Sequence, residues 1–309
     1  MPTRIGHGHP FLGSQAGDWG LTRQQLRQAL REGEVRRVLR NVYIASDVPD
    51  STDLRIACLH LVMPPHAVLF GTTAMWALSI DAFQPDERFL PKPSCVVPHG
   101  TTKITTDGVR SVEGYLEEFD IVEHNGLRMT VPTRTTVDGL RRLRPPFALS
   151  AADAMAHAGL VTRAGVQERI ARLRGYPGIV QARYLAHLID PQIEWPGESW
   201  TKLRLVEAGC PIPKAQVHVI DKRGRYAYLD LGYELRKIGC EYDGREVHSL
   251  ADDREHDAER RTWLRDIVDW RITVARKETV FCMEPSFEFE VAAWLGLTPL
   301  PRRRWVNHR

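Results

Sequence analysis

The chain has 309 residues, 43% of them hydrophobic, which is enough for two or three packed cores rather than one. A formal net charge of +3, from 42 Lys and Arg against 39 Asp and Glu, marks no nucleic-acid binder by itself, so local clustering of charge has to decide. Cys58, Cys95, Cys210, Cys240 and Cys282 form no CxxC pair, no apolar run approaches the roughly 20 residues that cross a bilayer, and MPTRIGHGHPFLG lacks a secretion signal's apolar stretch; these features argue against a disulfide framework, a structural zinc site and membrane contact, and lead to the expectation of a cytoplasmic protein.

Residues 1–48 read as a small basic unit, in which His7 and His9 of the Gly/His-rich lead take no role. Thr22 followed by Gln25 has capping-box spacing, Leu26, Ala29 and Leu30 repeat at helical spacing, and Gly33 supplies a stop, so one short amphipathic helix is predicted. Its opposite face carries Gln24, Arg27, Gln28 and Arg31, with Arg23 in the first turn, side chains that hydrogen-bond base edges and phosphates. Residues 35–39 and 42–44 are β-prone and flank Arg36, Arg37, Arg40 and Asn41, which predicts a hairpin wing beside the helix. Between Arg23 and Tyr43 six Arg stand against Glu32 and Glu34, the mark of a phosphate-contacting surface; the competing reading is a solvated helix face. The stretch LTRQQLRQALREGEVRRVLRNVYI resembles the N-terminal winged helix-turn-helix of AbiEi-type antitoxins. Asn41 stands where that family's closing motif has Gly, a mild departure because Asn tolerates the left-handed backbone that Gly would adopt.

Residues 49–190 read as a mainly helical middle domain. Helical patterns cover 54–63, 72–80, 148–159, 163–173 and 182–188, and β-like runs at 95–97, 108–112, 119–122 and 127–131 suggest a small sheet, the last run preceded by an Asn125-Gly126 turn signal. FGTTAMWAL and VPTRTTVDGLRR are similar to the middle region of the same antitoxin family, which implies a helical and β core and no catalysis. Arg134 and Asp138, four apart, predict a structural helix ion pair. PQIEWPGE, residues 191–198, is expected to mark the main boundary, giving domains over 1–48, 49–190 and 191–309.

From Glu198 the pattern becomes helix, strand, strand, strand, helix, strand. Glu198 opens the helix, residues 215–220 and 226–233 read as strands around an Asp221-Lys222-Arg223-Gly224 turn, and a second turn over 234–237 leads into 238–243. If that second turn is a four-residue loop, Tyr233 pairs with Ile238 and Asp230 falls directly opposite Glu241. Carboxylates that close repel unless a cation is present, and hard oxygen ligands select Mg²⁺ or Mn²⁺, an ion that can activate water for attack on a phosphodiester.

The ordered set of Glu198, LDLGY with Asp230, CEYDGREVH with Glu241, Asp243 and His248, and HDAERRTWL with Asp257 and Arg260 resembles the very-short-patch-repair-like branch of the PD-(D/E)XK nucleases over residues 198–275. The resemblance implies a restriction-endonuclease-like α/β domain with a central mixed sheet, Asp230 and Glu241 as metal ligands, and Glu198 supporting the metal through water. Asp243 stands where that family carries Lys. His248 is then the first candidate base or phosphate contact, Lys202 and Arg260 are cationic substitutes, Gln216 is placed to orient water or phosphate, and Asp257 with Arg260 braces the site. Trp263 and Trp270 read as core, and Arg302 to Arg304 as a solvated tail.

The sequence therefore predicts an α+β multidomain chain: an N-terminal winged helix-turn-helix, a mainly helical middle domain and a C-terminal nuclease-like α/β domain. Two functions are expected from it. One is an Mg²⁺-dependent DNA endonuclease in defence or repair, with RNA as an alternative substrate, a homodimer as a candidate assembly, and loss of activity on a retained scaffold as the competing reading. The other is a non-catalytic AbiEi-like antitoxin or transcriptional regulator whose partners are promoter DNA and a toxin.

Overall fold

A computed structural model of the chain describes residues 5–82, 92–100, 108–244, 262–264 and 268–305. The chain divides into two compact units, Met1–Asp138 and Gly139–Arg309. Among the described residues no helix is long and apolar enough to cross a membrane.

In the first unit, helix α1 (Arg23–Arg31) starts on the cap that Thr22 and Gln25 predict: the Thr22 hydroxyl accepts the Gln25 N–H at 3.2 Å, and the Gln25 side-chain oxygen accepts the Thr22 N–H at 2.8 Å. Strands β1 (Phe11–Leu12), β2 (Val35–Leu39) and β3 (Val42–Ala45) form a sheet of order β1-β3-β2. Asn41 turns the β2–β3 hairpin at φ 64°, the left-handed conformation its identity suggests. Leu26 and Ala29 of the helix pack on Phe11, Ala16 and Val35 in a small core.

The opposite side of the hairpin corrects the expected domain over 1–48. A register irregularity between Arg37 and Leu39 accompanies the burial of both Val38 and Leu39, and these join Val42 and Ile44 in a core with α2 (Thr52–Val62), α3 (Gly71–Ala77), Cys95 and Met129. A hairpin cut away at residue 48 would expose that apolar face, so it belongs with the rest of the first unit. The "mainly helical" reading is also revised here. Strands β4 (Val68–Leu69), β5 (Ser94–Pro98), β6 (Arg110–Gly114), β7 (Ile121–His124) and β8 (Leu127–Thr130) form a five-stranded sheet of order β6-β5-β4-β8-β7. Asn125 and Gly126 turn β7 into β8 with φ values of 48° and 77°. Residues Glu118–Asp120 form a 3-10 turn rather than strand, and the Asp120 carboxylate accepts the Arg134 guanidinium at 2.8 Å. Arg134, in α4 (Pro132–Arg142), also donates to Asp138 at 2.8 Å, the i, i+4 pair expected from the sequence.

The second unit begins with α5 (Pro145–His157), α6 (Arg163–Ala171), α7 (Ile179–Ala186) and α8 (Pro196–Glu207). PQIEWPGE does not separate these helices into two units. Asp153 of α5 accepts the Ser199 hydroxyl at 2.6 Å, the Lys202 ammonium at 3.0 Å and the Asp190 N–H at 2.8 Å, and Asp153, Ser199 and Lys202 are fully buried. A buried charge without its partner is strongly destabilising, so this network ties α5 to α8 across the Pro-rich segment.

After α8 come β9 (Lys214–Ile220), β10 (Tyr226–Tyr233), β11 (Ile238–Asp243) and β12 (Arg271–Arg276), in the order β12-β11-β10-β9. The first three run antiparallel, and β12 lies parallel to β11. One sheet face buries Val217, Val219, Ala227, Leu229 and Ile272 against Trp263, Leu264 and Trp270, so both tryptophans are core as expected. Helices α9 (Lys277–Phe281) and α10 (Phe287–Trp294) follow. Arg302 is not part of a solvated tail: its guanidinium donates to Glu288 at 2.6 Å and to the Cys282 carbonyl at 2.7 Å, and both charged side chains are buried.

Candidate functional site

Two groups of side chains have site-like chemistry, one in each unit. In the second unit the connection after β10 is a 3-10 turn over Glu234–Arg236 closed by Lys237 at φ 49°. It sets the pairing Leu231↔Cys240, Gly232↔Gly239 and Tyr233↔Ile238, the register that a four-residue loop predicts. The regular ladder ends at Leu231. One step further, the Asp230 carboxylate accepts the Tyr242 N–H at 2.7 Å. On the other side of β10, the pairs Leu229↔Val217 and Leu231↔Ala215 bracket Gln216, whose φ of 49° breaks the regular strand. Gln216, Asp230 and Glu241 consequently occupy one row across three strands.

Glu198 lies in the first turn of α8, and its carboxylate accepts the Glu194 N–H at 3.1 Å. Only 3% of Glu198 and 4% of Glu241 is exposed. Burial pushes the Glu198 carboxyl from 4.5 up to about 7; the Glu194 amide opposes the shift and the nearby Asp230 charge adds to it. Gly197 makes room for this arrangement, since a Cβ there would lie 2.0 Å from the Tyr242 ring. Only the absent side chain lets the start of α8 approach β11 so closely.

A carboxyl raised in this way stabilises the fold below its unfolded value, and the contribution disappears as pH rises through about 7. Ionised Glu198 therefore costs about 3 kcal/mol, because each tenfold change in its ionisation equilibrium corresponds to about 1.4 kcal/mol. Glu198→Gln is expected to raise the melting temperature at pH 8 and to leave it nearly unchanged at pH 4. Equal effects at both pH values would contradict this electrostatic account.

Among the described residues no three His, Cys, Asp or Glu side chains gather into a metal-binding group. One Asp230 oxygen accepts the Tyr242 amide N–H. His248, Asp257 and Arg260 lie outside the described residues. Lys202, a sequence candidate for the missing cation, is instead committed to Asp153 in the buried network. Asp243, at the position of the family's Lys, accepts the Arg276 guanidinium at 3.3 Å, and the two residues are paired partners on β11 and β12. Sequence reasoning missed Arg276 because only the parallel pairing of distant strands brings it to Asp243.

In the first unit, Arg23, Gln24, Arg27, Gln28 and Arg31 of α1 are exposed, as are Arg37 and Arg40 of the following hairpin. Arg23, Arg27 and Arg31 recur every four residues and share one helix face. Gln28 donates its side-chain amide to Glu32 at 2.8 Å. Arg37 lies 5.5 Å from the Tyr43 ring centre and donates to the Tyr43 hydroxyl at 3.3 Å. Arg40 packs beside Gly108, where a Cβ would lie 2.9 Å from its side chain. Arg36 differs from the others, being half-buried and donating to the Val48 carbonyl at 3.0 Å, which gives it a structural role in this unit.

Residues 66–188 match the family model of the AbiEi antitoxin C-terminal domain. The chain is also similar to two uncharacterized proteins of Mycobacterium tuberculosis, from strains CDC 1551 / Oshkosh and H37Rv. Each is 28% identical over 237 residues, which cover 74% of this chain and 81% of the relative.

Proposed function

We propose that this chain is a DNA-binding regulator of the AbiEi antitoxin type, with a toxin protein as its second partner. The observation that carries the reading is the exposed face of α1, where Arg23, Arg27 and Arg31 stand with Gln24 and Gln28 on a capped helix followed at once by a β-hairpin. That order is the one in which a winged helix-turn-helix offers a reading helix and a wing. Arginines on such a face supply phosphate contacts and bidentate contacts to guanine, and glutamines supply contacts to adenine. The match over residues 66–188 to an antitoxin domain supports the same reading.

The test is fluorescence anisotropy of the full chain with a labelled duplex from upstream of its own gene and with a scrambled duplex, across a salt series. Binding to both that weakens steeply with salt, and that favours the upstream duplex, is expected. Failure to bind any duplex at low salt would overturn the reading.

A second reading, metal-dependent DNA cleavage, is supported by a separate observation: Gln216, Asp230 and Glu241 stand in one row of the second unit's sheet, and the Asp230 charge adds to the upward shift of the buried Glu198 carboxyl. It retains His248, Asp257 and Arg260 as proposed members. The expected result is plasmid cutting in Mg²⁺ or Mn²⁺ that stops in EDTA and is lost in both Asp230→Ala and Glu241→Ala, with each variant shown to be folded by its melting curve. Absence of cutting in the wild type, or equal cutting in wild type and variants, would remove this reading and leave the regulator.

A further inference from the structure

The outer face of the β9–β10 hairpin carries three aromatic rings in contact. The pairs Tyr226↔Ile220 and Tyr228↔His218 place these four side chains opposite one another across the two strands. The His218 ring lies 4.9 Å from the Tyr228 ring at 29°, a stacked geometry, and 5.5 Å from Tyr226, while the two tyrosine rings meet edge to face at 6.1 Å. Their outer surfaces remain in water: Tyr226 is 63% exposed and Tyr228 53%. The other side of the same strands is already sealed by Trp263, Leu264 and Trp270, so this aromatic row contributes nothing to that core.

The hairpin tip beyond the rings is basic and held in place. Asp221 accepts the Arg223 and Arg225 backbone N–H groups at 2.8 and 3.0 Å and the Trp263 indole N–H at 2.9 Å, and the Arg225 guanidinium lies 4.9 Å from the Trp263 ring centre. Lys222 and Arg223 are left exposed at the end of the aromatic row. At the opposite end, two residues beyond Tyr228 on the same strand face, is Asp230.

We propose that this face binds single-stranded DNA, with unpaired bases stacking on His218, Tyr226 and Tyr228 and with Lys222 and Arg223 meeting the phosphates. Exposed rings that present π-faces, joined to a cationic end, are the two components of a single-strand platform. Ile220 is the sole aliphatic side chain among these four, whereas a groove for an apolar helix would be lined mainly by aliphatic residues. The proposal goes beyond the duplex-reading helix α1 and requires no cleavage.

The experiment measures binding of full-length protein to a labelled oligothymidylate by anisotropy. Three variants are compared with wild type: Tyr226→Ala/Tyr228→Ala, Tyr226→Phe/Tyr228→Phe, and Arg23→Ala/Arg27→Ala/Arg31→Ala. The alanine pair is expected to lose roughly fivefold to a hundredfold in affinity per tyrosine, because stacking on one ring contributes about 1–3 kcal/mol per base. The phenylalanine pair is expected to bind within about twofold of wild type, since stacking needs the ring and not the hydroxyl. The triple arginine variant is expected to retain oligothymidylate binding while losing duplex affinity, which separates failure of this proposal from failure of the α1 reading. Melting curves for all variants establish that the fold is intact. Unchanged oligothymidylate affinity in the alanine pair, or loss of that affinity only in the arginine variant, would overturn the proposal.

Discussion

Lys202→Met is expected to destabilise the protein by about 3–5 kcal/mol, the cost typical of breaking a buried ion pair on one side. Lys202 and Asp153 are fully buried, and their 3.0 Å contact lies inside a network completed by Ser199 and the Asp190 amide. Methionine nearly matches the lysine volume, so the loss measures the uncompensated charge on Asp153 rather than a cavity. The pH dependence supports the assignment further. Burial holds the Asp153 carboxyl above its ordinary value even with Lys202, Ser199 and the Asp190 amide drawing it down. Removing the ammonium raises it again, and a group with a raised folded value regains stability as pH falls. The deficit of the variant should therefore narrow toward acid, where Asp153 is protonated and wild type is left with an unpaired buried ammonium. Thermal melts of both proteins from pH 4 to pH 8 check this. A deficit that stays constant or widens toward acid would mean that Lys202 acts through packing alone.

The same network marks where the sequence stops being legible. Lys202, read along the chain, is a cation four residues from Glu198 and an apparent substitute for a missing catalytic Lys; only the packing of α5 on α8 shows that Asp153 holds it. The PQIEWPGE segment has the composition of a linker, yet the tie between α5 and α8 spans it because a buried charge constrains structure more strongly than a pair of prolines. Local signals, in contrast, are legible. The Thr22 and Gln25 cap, the Asn41 turn and the β10–β11 register depend on residues within a few positions of one another, and all three occur as expected. The register places Asp230 and Glu241 in one row, but the direction of the Asp230 carboxylate depends on the Tyr242 amide, and Tyr242 is seated by Gly197 of a different element. Neither spacing nor alternation along a strand carries that information.

Arg23→Ala/Arg27→Ala/Arg31→Ala is expected to weaken duplex binding roughly a hundredfold, at about 1 kcal/mol for each arginine replaced. The salt dependence gives a sharper test than the affinity. Each arginine that meets a phosphate should contribute about 0.9 to the slope of log K against log salt, so the triple variant should be shallower by about 3 if all three side chains do so. A loss of affinity with little change of slope would instead assign some of them to base edges, and the preference for the upstream duplex should then fall with the affinity. Gln24→Ala separates these cases, because an uncharged base reader alters sequence preference while leaving the slope unchanged. All four side chains are exposed and stand outside the Thr22 and Gln25 cap, so the melting temperature should not move. Arg36→Ala is the contrasting control: its bond to the Val48 carbonyl makes it part of the fold, and its removal should lower the melting temperature while leaving the slope nearly intact. If the triple variant binds duplex as wild type does, with the same slope, α1 is a solvated surface helix and the DNA-reading assignment fails. If slope and affinity fall together while the melting temperature holds, the charge on this helix face is what attaches the protein to DNA.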